Sequence, residues 1–168
     1  MLSLRSCQRE RMIFYDKMIF MLSNNKILIL IITILIFTVI FGFIYGNKTQ
    51  SQIILNGKIF QAEVVRSQSE LGRGLSGHKG LSDNEGMLFI FDKPDNYGFW
   101  MKDMRFPIDI IWLDQNFKVV HVEKSVATST YPKVFYPSGP ATYVLEVNSG
   151  ISDSINLQIG DEAKFIKK

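Results

Sequence analysis

Apolar positions fall in one unbroken block near the N-terminus and, beyond it, in short runs separated by glycine, proline, asparagine and aspartate. QIILNGKIFQAEVV carries the strongest hairpin signal, with Asn56-Gly57 between two apolar runs and suited to a two-residue turn of positive φ. In SQSELGRGL, Ser67 with Glu70 three residues on forms a capping box. The glycines at 72, 74 and 77 then allow only a turn or two of helix. Met87 to Phe91, MLFIF, is continuous apolar sequence and reads as a central strand. YGFWMK, IDIIWL and FKVVHVE read as three further strands, with a turn at Asp114 to Asn116 between the last two. Ser125 to Gly139 is expected as a loop, ATYVLEV as a strand, SGISDSIN as a short helix and DEAKFIK as a closing strand. Seven or eight short strands with two helical turns predict an all-β domain, mainly β with one or two short helices, in a compact barrel or sandwich.

FWMKDMRFPIDIIWLD breaks this regularity. Strand alternation puts Phe99, Met101 and Asp103 on one face and Trp100, Lys102 and Met104 on the other. Pro107, lacking an N–H, suits a turn or a strand start. The stretch therefore predicts two strands joined at Asp103 to Pro107, with Lys102 and Asp109 as cross-strand neighbours.

The long apolar block is ILILIITILIFTVIFGFIY, Ile27 to Tyr45, without a charge. As a helix rising about 1.5 Å per residue it would span about 28 Å, close to the hydrocarbon thickness of a bilayer. Thr33 and Thr38 alone make no polar stripe. Lys17 and Lys26 precede the block and only Lys48 closely follows it, which predicts a cytoplasmic N-terminus and an exported remainder. The apolar run exceeds the usual signal core, and FGFIYGNKTQ offers no small-x-small cleavage site, so an uncleaved anchor is expected. The expected organisation is a cytoplasmic segment 1–26, one transmembrane helix 27–45, a linker 46–51 and an extracytoplasmic β domain 52–168. Internal Met18 and Met21 are also candidate starts, since MLSNNKILILII makes a normal short leader into the span.

Net charge of +3 is confined to the leading part. Five bases and two acids precede Gly46, leaving 14 of each sign after it, so no basic face for nucleic acid is expected. Cys7 is the single cysteine, so the exported part has no thiol for disulfides, metal ligation or nucleophilic catalysis.

RGLSGHKGL, EGMLFIFD, FWMKDMRFPIDIIWLD and YVLEVNSG, in this order and spacing, resemble the prokaryotic family called domain of unknown function 192. The resemblance covers Ile53 to Phe165 and rests on Arg73-Gly74-Leu75, Gly86 to Phe89, Phe99 to Lys102, Pro107 to Asp109 and Val144 to Glu146. Ser76 stands where the family usually has Met, Asp103-Met104 where it has Asn-Thr, and Ile108 where it has Leu. The resemblance implies a compact β-rich fold, often behind a signal or anchor, and no established reaction. Family members often carry cysteines before the strand that holds Tyr143, and here there are none.

Asp109 shares a strand face with Ile111 and Leu113, and Glu146 shares one with Val144. A charge among apolar neighbours is costly unless paired. One reading pairs each acid with a base such as Arg73 or Lys102. The other brings Arg73, Lys102, Asp109 and Glu146 together in a polar pocket walled by Trp100 and Met101, as in a small-ligand site. Two histidines, His78 and His121, show no metal-ligand spacing, and no phosphate loop, dinucleotide fingerprint or nucleophile motif is present. No catalytic residue, metal or cofactor is therefore assigned. The expected function is a membrane-anchored extracytoplasmic domain that binds a small ligand or an envelope partner. The alternatives are a hydrolase of envelope glycan or peptide using Asp109 and Glu146, or a structural accessory of a membrane complex.

Overall fold

The structure, a computed structural model, describes residue 26, residues 28–40 and residues 51–167. The chain divides into two compact units, Met1–Lys48 and Thr49–Lys168. In the first, residues 28–40 form helix α1 with exposed apolar side chains. Among the described residues no helix is long and apolar enough to cross a membrane. The flanks of the expected span 27–45, nearly all of 1–26, and the linker up to residue 50 lie outside the described residues.

The second unit begins with the expected hairpin. Strands β1 (Ser51–Leu55) and β2 (Lys58–Val65) meet at Asn56 and Gly57, with φ of 47° and 80°. Positive φ at both turn positions matches the right-handed twist of the flanking strands. Helix α2 (Gln68–Arg73) starts at the Ser67 capping box and stops at Gly74, whose φ is 49°. There follow β3 (Glu85–Asp95), β4 (Phe99–Trp100), β5 (Ile108–Leu113), β6 (Val119–Val126), β7 (Val134–Phe135), β8 (Ala141–Asn148), the short helix α3 (Ile151–Ser154) and β9 (Lys164–Ile166).

Seven strands form one sheet in the order β6-β5-β8-β3-β2-β1-β9, and β4 with β7 forms a separate two-stranded ribbon. The chain is mainly β with few short helices, as expected, but its sheet is not closed into a barrel. β9 pairs over three residues with β1, and the opposite edge is reached only by the bridge Lys118↔Glu162 and neighbouring backbone bonds such as Val119 N–H to Asp161 O, 2.8 Å. The β2–β3 pair is parallel, the other pairs antiparallel.

The expected pairing within FWMKDMRFPIDIIWLD does not form. β4 pairs with β7, Phe99 opposite Phe135, while β5 lies between β6 and β8. Lys102 and Asp109 are therefore not cross-strand neighbours. The partner strand β7 came from the segment expected to be loop, Ser125 to Gly139, where Val134 and Phe135 make too short a run to signal a strand.

β5 is buried at all six positions. Such burial requires cover on both faces of the sheet, and each face has it. On one, Ile53, Phe60, Leu88, Ile111 and Leu145 pack with Ile151 and Leu157 from α3 and the turn after it. On the other, Met87, Phe89, Ile110, Trp112 and Val144 pack with Leu75 behind α2 and with Phe99 and Phe135 of the ribbon. Both clusters lie entirely within residues 53–165, so the unit carries its own core.

Candidate functional site

The two central strands each bury one acid, and the sheet register separates them. Asp109 of β5 lies opposite Val147 of β8, while Glu146 of β8 lies opposite Ile110. Directly opposed residues share a face, and successive residues alternate. Asp109 and Glu146 therefore point to opposite faces of the sheet and do not make an acid–base pair.

Asp109 is fully buried and fully used. Its Oδ1 accepts from the backbone N–H groups of Ser125, 2.7 Å, and Gly150, 3.1 Å, and its Oδ2 from Ser152, 2.8 Å. The β5–β6 register shifts between Ile108 and Ile110, and Ser125, with φ of 52°, sits on the partner strand at that irregularity. The carboxylate thus holds a bulge on β6 and the start of α3 together. It does so with backbone donors rather than the expected base, because the amides freed by the bulge and by the first turn of α3 all point at it.

Glu146 is 4% exposed, between Ile110 and Met87 on the neighbouring strands. Its Oε2 has no hydrogen-bond partner. The ion pairs among the described residues are His121–Glu123 and Lys124–Asp153, so neither Arg73 nor Lys102 neutralises it. Burial alone pushes its carboxyl up to about 8, so at neutral pH it is mostly protonated.

This carboxyl lies at the floor of a cavity of about 590 Å³, within the range of small-ligand sites. Arg73, Gly74 and Leu75 line one side, Phe89 and Phe91 of β3 a second, and Tyr97 to Trp100 a third. Phe91 stacks on Tyr97 with ring centroids 3.5 Å apart, and Phe89 meets Phe99 edge-on at 4.8 Å. Gly74 makes the close approach possible. A Cβ there would stand 3.2 Å from the Phe89 ring and 3.9 Å from Oε2 of Glu146. Around the mouth are Arg66, Arg73 and Lys93, with Asp92 the acid among them.

Of the six residues expected to converge, the structure brings together Arg73, Trp100 and Glu146. Met101 is 1% exposed and packs in the core beneath. Lys102 is exposed, with Nζ 5.9 Å from the Trp100 ring. Asp109 is on the far face. The aromatic walls were missed, although Phe89 and Phe91 alternate with Leu88 and Ile90 in GMLFIFD and so share the face that carries Met87. Among the described residues no group of His, Cys, Asp or Glu is arranged to hold a metal.

The sequence profile of the DUF192 family, described as Uncharacterized ACR, matches residues 51–165. A UPF0127 protein of Pyrococcus horikoshii is 36% identical over 70 residues, covering 41% of this chain and 54%, about half, of that protein. A UPF0127 protein of Thermococcus sibiricus is 31% identical over 121 residues, covering 69% of this chain and 70% of that protein. A crystal structure of a protein of unknown function from Novosphingobium aromaticivorans superposes with a TM-score of 0.63 at 28% identity. It covers 68% of this chain and 83% of that one.

The two acids are expected to respond to neutralisation in opposite directions. Asp109→Asn puts an N–H₂ against backbone donors and should cost about 3 kcal/mol in urea unfolding. Glu146 has a folded value near 8 and a reference value of 4.5. Its stabilising contribution is therefore complete below pH 4.5 and is lost as pH rises through 8. Glu146→Gln should remove that slope and, at pH 7, raise stability by about 3 kcal/mol. A Glu146→Gln domain with the wild-type pH slope would show that the carboxyl is ionised in the fold.

Proposed function

The chain belongs to the DUF192 family, and on that premise we propose that residues 51–165 form a small-ligand binding module held at a membrane by the apolar stretch before it. The observation that carries the binding reading is the orphaned carboxyl of Glu146 at the floor of the aromatic-walled cavity. A core acid without a partner is a cost to folding, and a cavity beside it supplies the place for a partner from outside. Stability given up at one residue is the usual mark of a site shaped for something other than the fold. Nothing in the cavity pairs a nucleophile with a base, which favours binding over turnover.

The anchor is supported by the uncharged run Ile27 to Tyr45, and the bases Lys17 and Lys26 on its N-terminal side favour a β domain outside the cytoplasm. The ligand or partner is then a component of the envelope or its surroundings. Membranes washed in alkaline carbonate should retain the full chain, and protease added to spheroplasts should remove the β domain. Release of the chain by carbonate would overturn the anchor and leave the cavity untouched.

Binding is tested by thermal-shift screening of the Thr49–Lys168 unit against a library of small polar compounds. A ligand at 100 times its dissociation constant adds about 2.7 kcal/mol, a shift of several degrees for a domain of this size. Gly72 supplies the control, since it lines the cavity and a Cβ there meets nothing within 4 Å. Gly72→Trp should fold and lose the shift by filling the cavity. Hits that shift both forms equally would place the ligand elsewhere, and a library without hits would count against a binding function.

A further inference from the structure

A lone acid and a set of bases mark the two ends of the cavity. Its floor is the carboxyl of Glu146, nine-tenths buried, with Oε2 unpartnered. Its mouth carries Arg66, Arg73 and Lys93 against one acid, Asp92. Between them the walls are aromatic.

We propose that the cavity takes a small zwitterion, a compound of amino-acid or short-peptide size with an apolar body, bound with its ammonium on Glu146 and its acid group among the basic residues of the mouth. The assignment rests on the cavity being a binding site and names what it binds. An ammonium supplies the hydrogen-bond donors that Glu146 lacks and the countercharge with which it can ionise. Both the Phe89 ring and Oε2 of Glu146 lie within 4 Å of the point where a Gly74 Cβ would stand. A simple anion would bring no donor to the Glu146 carboxyl, and a simple cation would have to pass three bases at the mouth. A dipolar ligand satisfies both ends. Its apolar body has the stacked pair Phe91 and Tyr97 to lie against.

The proton balance gives a signature. The free carboxyl is protonated at neutral pH, and a bound ammonium keeps its own proton while the carboxyl releases one to solvent. Binding of a zwitterion below pH 8 is therefore accompanied by release of about one proton, whereas a ligand that only accepts a hydrogen bond from the carboxylic acid releases none.

Three probes of one shape separate the charges: phenylalanine, phenethylamine and 3-phenylpropanoate. They are titrated at millimolar concentration into the Thr49–Lys168 unit at pH 6.5 and followed by backbone amide chemical shifts. Calorimetry in buffers of different ionisation enthalpy counts protons. Phenylalanine should bind tightest, phenethylamine next and 3-phenylpropanoate weakest, with proton release for the first two. Glu146→Gln, which folds at least as well at this pH, should weaken both amines at least tenfold and leave 3-phenylpropanoate unchanged. Arg73→Ala should weaken phenylalanine and spare phenethylamine. Tighter binding of 3-phenylpropanoate than of phenylalanine, or amine binding indifferent to Glu146→Gln, would overturn the zwitterion and keep the binding site. If none of the three shifts the cavity amides, the zwitterion is overturned, and hits from the library screen sensitive to Gly72→Trp still decide whether the cavity binds anything.

Discussion

Burial of the central strands on both faces is the constraint on which the rest of this domain depends. β5 is buried at every position, and β8 beside it at all but Tyr143 and Asn148, which are half-buried. A polar side chain on either strand must find a partner inside the protein or give up its charge. Asp109 and Glu146 show the two outcomes within one pair of strands. Three backbone amides hold Asp109, which ties the bulge of β6 to the start of α3. Glu146 is held by none of the described groups and becomes a neutral acid facing a cavity. The first is architecture, and the second is an acid that the fold buries without a partner.

The cavity follows from how the second face of the sheet is covered. A continuous helix or a full second sheet would have sealed that face. Here the cover is made of pieces: the short α2, the Gly74 to Ser76 turn and the ribbon of β4 with β7. Short elements leave gaps between them, and the gap lies over Glu146. Gly74 keeps it open by bringing only backbone near Phe89, and Gly98 lets the ribbon close tightly beside it, since a Cβ there would stand 2.6 Å from Tyr136.

Much of this was legible from local sequence. Asn56-Gly57 gave the hairpin, Ser67 with Glu70 the helix start, and Pro107 the break before β5, because each acts through its own backbone geometry. Alternation also identified Asp109 and Glu146 as acids on apolar faces. It could not say that the faces differ, since period two fixes sides only within a strand and the β5–β8 register decides the rest. Lys102 was expected beside Asp109 for the same reason, from a hairpin that long-range pairing of β4 with β7 replaced. The aromatic walls were readable as strand residues and not as a pocket, because a cavity belongs to the space between elements.

The charge state of Glu146 decides between a partnered and an unpartnered core acid, and its direct measurement is the titration of the Glu146 carboxyl carbon by NMR in the Thr49–Lys168 unit without ligand. The carboxyl is predicted to be protonated at pH 7 and to titrate near pH 8. A carboxylate already ionised at pH 6, with a midpoint near the ordinary value of 4.5, would mean that water or a neighbouring base satisfies it, and would contradict the unpartnered acid at the cavity floor.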